Sequence, residues 1–321
     1  MIRMLLSSLA MTLSLTHWGA LAQSYPAKPV KILVPFVAGG TSDIVARAVA
    51  QKLNEAGYTT VVENRPGANG SIAAEALAKS PNDGYILMVG SIGTFAINMG
   101  LYKNPKYDVM RDFDAVTVAV RTPNVLIVPP QFPANNLKEF IDYARKNPGK
   151  VSYGSSGSGS SDHLSAEMFK LQTQTFGVHI PYRGGAAAQT DIMAGNIEAS
   201  FQNFGTVVPY IKAGRMKALG GTSRQRMPQL PDVPTLTEAG VPGADYVFWI
   251  GMLVTSKTPR DVVQKINQHT LKALQTPEVR DRLTTLGAEP MPLSPEQFDA
   301  MIRDELAVNA QIIKSAGIKT E

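Results

Sequence analysis

The stretch Val30–Asp43, VKILVPFVAGGTSD, constrains the fold of this chain more than any other. Its apolar run, Val30–Phe36, reads as a buried strand of the parallel type, and Ala-Gly-Gly leads from it into an amphipathic run, Ile44–Leu53. Strand, glycine turn and helix in this order set the unpaired N–H groups of a helix start at the end of a strand. Adjacent glycines let the backbone turn tightly and leave no side chain over those donors. Such a terminus attracts anions, because the donors and the positive end of the helix dipole act together without metal or arginine. The same residues also fit an ordinary turn in which Thr41, Ser42 or Asp43 caps the helix. Recurrence of the unit favours the anion reading.

It recurs along the chain. Tyr58–Glu63 reads as a strand, followed by the glycine-rich loop Asn64–Ser71 and the helix Ile72–Lys79; Tyr85–Val89 is a third apolar strand, ending in Gly90–Thr94. In an open parallel sheet such loops gather at the carboxyl ends of the strands, where ligands bind. Phe113–Val120 and Asn124–Val128 read as two apolar segments separated by Arg121-Thr122-Pro123. The pattern then restarts: a helix Leu137–Lys146 capped by Asn135 or Asn136, a strand Val151–Tyr153, the loop Gly154–Asp162 and a helix from His163. Val178–Pro181, Tyr182-Arg183-Gly184-Gly185 and the helix Ala186–Ala194 form another unit, closed by Gly195. Strands at Ile197–Phe201 and Lys217–Gly221 flank a short helix, Met227–Tyr246 reads as a surface connection, and Val247–Val254 is a late strand before three helices.

Two βαβ-rich halves followed by helices predict an α/β protein of two lobes, each a doubly wound, mostly parallel sheet flanked by helices. The late strand and tail complete the first lobe in this reading, so that residues 23–122 and 248–321 form one lobe and residues 123–247 the other. The chain then crosses between lobes near Arg121–Asn124 and near Val247–Gly251.

The first 22 residues are of another kind. Arg3, the apolar run Met4–Leu15 and Ala20-Leu21-Ala22 read as a secretory signal peptide cleaved before Gln23, which implies an exported, periplasmic protein. No later stretch approaches the roughly 20 apolar residues of a membrane span. There is no cysteine, so stability rests on the core. The formal net charge is +5, with basic residues spread along the chain, which argues against nucleic acid as a partner while favouring small anions.

Catalytic and metal-binding patterns are thin. His163, His179 and His269 are far apart in sequence and no cysteine accompanies them, so no metal or cofactor is expected. His179 reads as a core or edge residue of its strand, His269 as solvated, and His163 as either a ligand donor or a tie for the loop before it. The serines of Gly154–Ser161 stand in no G-x-S-x-G elbow, and that loop lacks the Gly-Lys-Ser/Thr ending of a phosphate loop. Hydroxyls and backbone donors remain, which bind an anion well and react with it poorly. Arg183 reads as a partner for a second carboxylate or as a surface arginine, Asn203 as a cleft residue or a cap, and Phe36 and Tyr182 as pocket walls or core.

The segments VPFVAGGTSDIVAR, ENRPGANGSIAAE, SPNDGY, GSSGSGSSDHLSAEMF, PYRGGAAAQTDIMAGNIEASFQN, AGRMKALGGTS and PDVPTLTEAG together resemble, in order, the tripartite tricarboxylate transporter substrate-binding proteins, also called Bug proteins. The resemblance runs from Tyr25 to the C-terminal helices. It implies a periplasmic two-lobed "Venus flytrap" without enzymatic activity, acting as a monomer, that captures a small organic carboxylate and hands it to a two-component membrane permease. A sensor or scavenger without a permease, or an enzyme acting on a small carboxylate, are the competing roles. Carried onto this chain, the resemblance implies ligand contacts from Phe36, Ala38, Gly39, Gly40, Ser42 and Asp43 in the first loop and Ala68 and Gly70 in the second. The opposite lobe would contribute Ser156, Gly157, Ser158, Gly159 and His163, with Tyr182, Arg183 and Asn203 at the distal end. Gln202-Asn203 stands where many relatives carry an acidic residue, which favours a ligand bearing carboxylates only.

Overall fold

A computed structural model describes residues 25–285 and 287–318. The signal peptide expected over residues 1–22, and its cleavage at Ala22-Gln23, lie outside the described residues. Five strand and helix units open the chain: β1 (Val30–Val34), α1 (Thr41–Glu55), β2 (Thr60–Asn64), α2 (Ser71–Ala78) and β3 (Ile86–Ser91). A π-type turn, Gly93–Ile97, then runs into α3 (Asn98–Leu101), and α4 (Val109–Asp112) precedes the long strand β4 (Phe113–Val128). There follow α5 (Leu137–Lys146), β5 (Val151–Ser155), α6 (Ser161–Thr173), β6 (Gly177–Pro181), α7 (Gly185–Ala194), β7 (Ala199–Asn203), α8 (Phe204–Lys212) and β8 (Lys217–Gly221). The chain closes with β9 (Val247–Thr255), α9 (Arg260–Gln275), α10 (Pro277–Thr285), β10 (Glu289–Pro290) and α11 (Pro295–Ser315).

The strands form one path, β2-β1-β3-β9-β4-β7-β5-β6, with β10 and β8 also pairing with β4. Pairing is parallel at both ends of the path, where β1 lies between β2 and β3 and β5 between β6 and β7. It is antiparallel in the middle, where β9 pairs with β3 and β4. The sheet is therefore mixed, with parallel edges and an antiparallel centre.

Sequence segmentation at Arg121–Pro123 does not survive: β4 is one strand of 16 residues. Its first part pairs with β9, down to Pro123 opposite Val247, and its second part pairs with β7 from Asn124 opposite Asn203. Proline has no N–H to give a ladder, and here it stands at the seam where the partner strand changes. A turn-like composition was thus compatible with an unbroken strand, because tertiary pairing on both sides supplies the bonds.

Side chains of β4 beyond the seam alternate faces with the period of two expected of a strand. Leu126 and Val128 join Tyr153, Phe201, Phe140 of α5 and Phe169 of α6 in one core, whereas Val125 and Ile127 join Ile192 of α7 and Phe204 and Val207 of α8 in another. Helices thus cover both faces. The larger core lies around β1, β3 and β9 with α1, α2, α9 and α11. Met227–Tyr246 carries no helix or strand, yet Met227, Leu230, Leu236, Val241, Ala244 and Tyr246 are buried, so the expected surface connection also plugs the cores. His269, expected in solvent, rests edge-on against Tyr58 and meets its hydroxyl at 3.0 Å.

Candidate ligand-binding site

Two loops at strand ends are built alike. After β1, Gly39 takes a left-handed φ of 84°, Gly40 is the extended N-cap with φ −75° and ψ 167°, and α1 starts at Thr41. After β5, Gly159 takes φ 77°, Ser160 is the N-cap with φ −75° and ψ 163°, and α6 starts at Ser161. In both, the third helical residue reaches back to the left-handed glycine: Gly39 N–H donates to Asp43 Oδ2 at 3.0 Å, and Gly159 N–H donates to His163 Nδ1 at 3.2 Å. Asp43 therefore braces the loop in front of its helix and is not the N-cap.

The braces differ in charge. Burial works against ionisation of Asp43, yet hydrogen bonds from Arg47, the Gly39 N–H and Asn64 outweigh it and hold the carboxyl below its usual range. Asp162, the second residue of α6, is buried with no cation beside it among the described residues, and burial pushes its carboxyl up although the Ser156 N–H donates to it at 3.0 Å.

These contacts sort the expected donors. The N–H groups of Gly39, Gly70, Ser156, Gly157 and Gly159 are donated within the protein, to Asp43, Gly67, Asp162, Ser155 and His163 respectively. Among the described residues no acceptor meets the N–H of Ala38, Gly40, Thr41 or Ser42 in the first loop, nor that of Ser158 or Ser161 in the other. Ala38, Gly39 and Ser158 are exposed, while Thr41 and Ser42 are buried. Thr41 is a candidate donor that the sequence reading treated only as a cap.

The Ala68–Gly70 turn joins the two loops. Gly70 is buried with φ 87°, and a Cβ there would overlap Thr94 and lie 2.8 Å from Pro35 at the end of β1. Ala68 is exposed. Between them Asn69 donates through Nδ2 to Gly159 O and to Asn98 Oδ1, both at 2.9 Å, while its own carbonyl accepts from Thr94 and Asn98. Its position inside the glycine loop was the available signal for this role.

At the distal end the side chains form a chain of amides. Asn203 Nδ2 donates to Asn124 Oδ1 at 2.7 Å, and Asn124 donates to Ser165. Gln189 donates to Gln202 and to Thr206. The Tyr182 hydroxyl donates to Asp191 at 2.6 Å, and burial with that carboxylate pushes it up to about 12. Arg183 is exposed and its guanidinium has no hydrogen bond or ion pair among the described residues. Phe36 is half-buried with its carbonyl accepting from Asn64. Asn124 and Gln189 carried no local signal in the sequence; pairing of β4 with β7 brings Asn124 here, and the packing of α7 brings Gln189.

His163 lies under its loop, 5% exposed. Besides its bond from Gly159, its ring stacks on that of His179 with centroids 3.7 Å apart and 8° between planes, and Nε2 stands 3.6 Å from Glu167 Oε1. Of the two sequence readings of His163, this is the geometry of the tie. Among the described residues no cluster of His, Asp or Glu has the arrangement of a metal site, and no helix is long and apolar enough to cross a membrane.

Residues 45–318 match the model of the TctC family, the tripartite tricarboxylate transporter family receptors. Protein BugT of Bordetella pertussis is 33% identical over 93% of this chain and 92% of its own length. The structure of R. palustris Rpa4515 with adipate superposes with a TM-score of 0.87 at 35% identity, covering 92% of this chain and 99% of that one. The structure of the periplasmic binding protein BugD gives a TM-score of 0.85 at 34% identity, covering 92% of this chain and 100% of that one. The fold is thus the two-lobed one of periplasmic binding proteins, and the chain belongs to the tripartite tricarboxylate transporter receptor family, whose members are solute-binding receptors and not enzymes.

Proposed function

We propose that this protein is exported to the periplasm, with cleavage near Ala22-Gln23, and there captures a small organic dicarboxylate for delivery to a two-component membrane permease. The observation that carries the reading is the pair of matching helix starts, α1 and α6, each presenting N–H groups without a partner among the described residues. Backbone donors at a helix N-terminus hold a carboxylate without a counter-cation. One carboxylate would sit on Ala38, Gly40, Thr41 and Ser42, and Ser158 and Ser161 would close on it. Arg183, free of a partner among the described residues, would meet the second carboxylate, with Tyr182 and Asn203 beside it. In this reading residues 23–122 with 248–321 form the anchoring lobe and residues 123–247 the closing lobe, and ligand shifts the protein toward the closed form by its differential affinity.

Adipate, seen with Rpa4515, is the first ligand to test. Mature protein, denatured and refolded to remove carried-over acids, should be stabilised by about 2.7 kcal/mol at adipate near 100 times its dissociation constant. A flat thermal transition across adipate and a panel of mono-, di- and tricarboxylates would overturn the reading.

A further inference from the structure

The stacked histidines are absorbed by no part of carboxylate capture as set out above. The Gly159 peptide is held at both ends: its carbonyl accepts from Asn69 Nδ2 at 2.9 Å and its N–H donates to His163 Nδ1 at 3.2 Å. An imidazole nitrogen accepts only while it is bare, so this bond requires the tautomer protonated on Nε2, the nitrogen that faces Glu167. His179 is stacked on the same ring and its Nε2 meets Ser155 Oγ at 2.7 Å. Ser155 Oγ in turn accepts the Gly157 N–H at 3.1 Å. The loop Ser155–Gly159 therefore hangs on two imidazoles, one at each end.

We propose that His163 and His179 are positioning residues that hold the loop Ser155–Gly159 in its ligand-receiving form, His163 by accepting the Gly159 N–H at a bare Nδ1 and His179 by holding Ser155. This rests on the proposed role of that loop in the site. Without an acceptor at position 163 the buried Gly159 N–H is left unpaired and the loop is held at one end only. The first loop does not depend on an imidazole, because the carboxylate of Asp43 performs the equivalent bond to Gly39.

The two rings are surrounded from several elements. From α6, Glu167 Oε1 stands 3.6 Å from His163 Nε2 and is itself paired with Lys170 at 2.6 Å. Asp162, also on α6, is buried with its carboxyl pushed up. From β5 come Ser155 and Tyr153, the latter with Lys170 above its ring and its hydroxyl pushed up by burial. β6 contributes His179 itself, and α11 meets α6 on the Leu164 and Met168 side through apolar contacts.

The test is calorimetric titration of the refolded protein with adipate at a single pH. His163→Ala removes the acceptor for Gly159 and should lose at least about tenfold in affinity. His163→Asn keeps an acceptor for Gly159 and should retain the affinity of the parent. Parent affinity in His163→Ala, or the same loss in His163→Asn, would overturn the proposal. Nitrogen NMR of the ligand-free protein separates this from the identity of the ligand. His163 should show a bare Nδ1, and Gly159 amide protection, corrected for intrinsic exchange, should fall in His163→Ala and not in His163→Asn. If adipate fails to bind while these spectral outcomes hold, the carboxylate reading has failed and the positioning role stands; a protonated Nδ1 ends the positioning role.

Discussion

Asn69 Nδ2 donates to Gly159 O at 2.9 Å, tying the Ala68–Gly70 turn directly to the loop in front of α6. The same nitrogen donates to Asn98, so the asparagine is anchored on the first loop's side before it reaches across. Asn69→Ala removes both bonds and also places alanine where asparagine holds a left-handed φ of 48°. The expected loss of stability is about 1–3 kcal/mol, read by urea denaturation. If the two loops clamp the ligand, adipate should also dissociate faster, whereas an unchanged off-rate would show that the tie serves the fold alone.

Glycine positions separate site from scaffold. Gly40 has an extended backbone, and its nearest neighbour to an added Cβ is Val37 O at 3.6 Å. Gly40→Ala should fold with a loss of about 1 kcal/mol or less, while its methyl group crowds the donors and weakens adipate binding. Gly70→Ala meets Thr94 and Pro35 at a left-handed φ and should lose about 1–3 kcal/mol of stability in addition to any change in binding. Similar thermal transitions for the two variants would contradict this assignment.

His179 produces an acid-dependent loss of stability. Burial, with His163 next to it, lowers its folded value from 6.5 to about 3. The unfolded chain therefore binds the proton first, so stability is full above about 6.5 and declines as pH falls from there toward about 3, by at most about 1.4 kcal/mol per pH unit. His179→Gln should flatten the melting temperature across that window. A slope equal to that of the parent would assign the acid loss to other groups.

Asp43 acts in a lower window and with the opposite protonation logic. Its carboxyl is held below the ordinary 3.8, so its stabilisation is complete above that value and is lost as pH falls through the folded value. Asp43→Asn keeps an acceptor but gives up charge-assisted bonds from Arg47 at 2.9 Å and from the Gly39 N–H. The expected loss near neutral pH is about 1–3 kcal/mol, with the difference from the parent vanishing in strong acid.

Arg183 has no hydrogen-bond or ion-pair partner among the described residues, so Arg183→Ala should leave the unfolding free energy of the ligand-free protein within about 0.5 kcal/mol of the parent. Adipate affinity should fall by about tenfold or more, the scale of one charge-assisted hydrogen bond. Binding of a monocarboxylate of similar length should change much less. Equal losses for mono- and dicarboxylates would remove Arg183 from the distal contact.

Much of the fold was legible because it is written in local pattern. The apolar runs at Val30, Lys217 and Val247 begin where the strands begin, and Asn136 caps its helix by accepting from Glu139 N–H at 2.9 Å. Gly195, read as the residue that closes its helix, does so at φ 77°. Arg121-Thr122-Pro123 misled, since a local turn composition was overridden by pairing with β9. The π turn Gly93–Ile97 and α3 were missed, because their small and apolar residues carry no surface periodicity when all of the segment but Met99 and Gly100 is buried.

Residue order was enough to show that strands end in glycine turns opening onto helices, and so that backbone donors would gather at one end of a sheet. Strand and helix periods and the left-handed tolerance of glycine are properties of neighbouring residues, and they survive in any environment that buries the apolar face. Which donors stay free was settled by packing: Gly39 and Gly159 are spent on Asp43 and His163, four residues on, while Ala38, Gly40 and Ser158 meet no acceptor among the described residues. It likewise decided that His163, 16 residues from His179 in the chain, lies flat against it through the parallel pairing of β5 and β6. Hydrogen bonds are directional over about 3 Å, a scale that residue order does not resolve and that packing does.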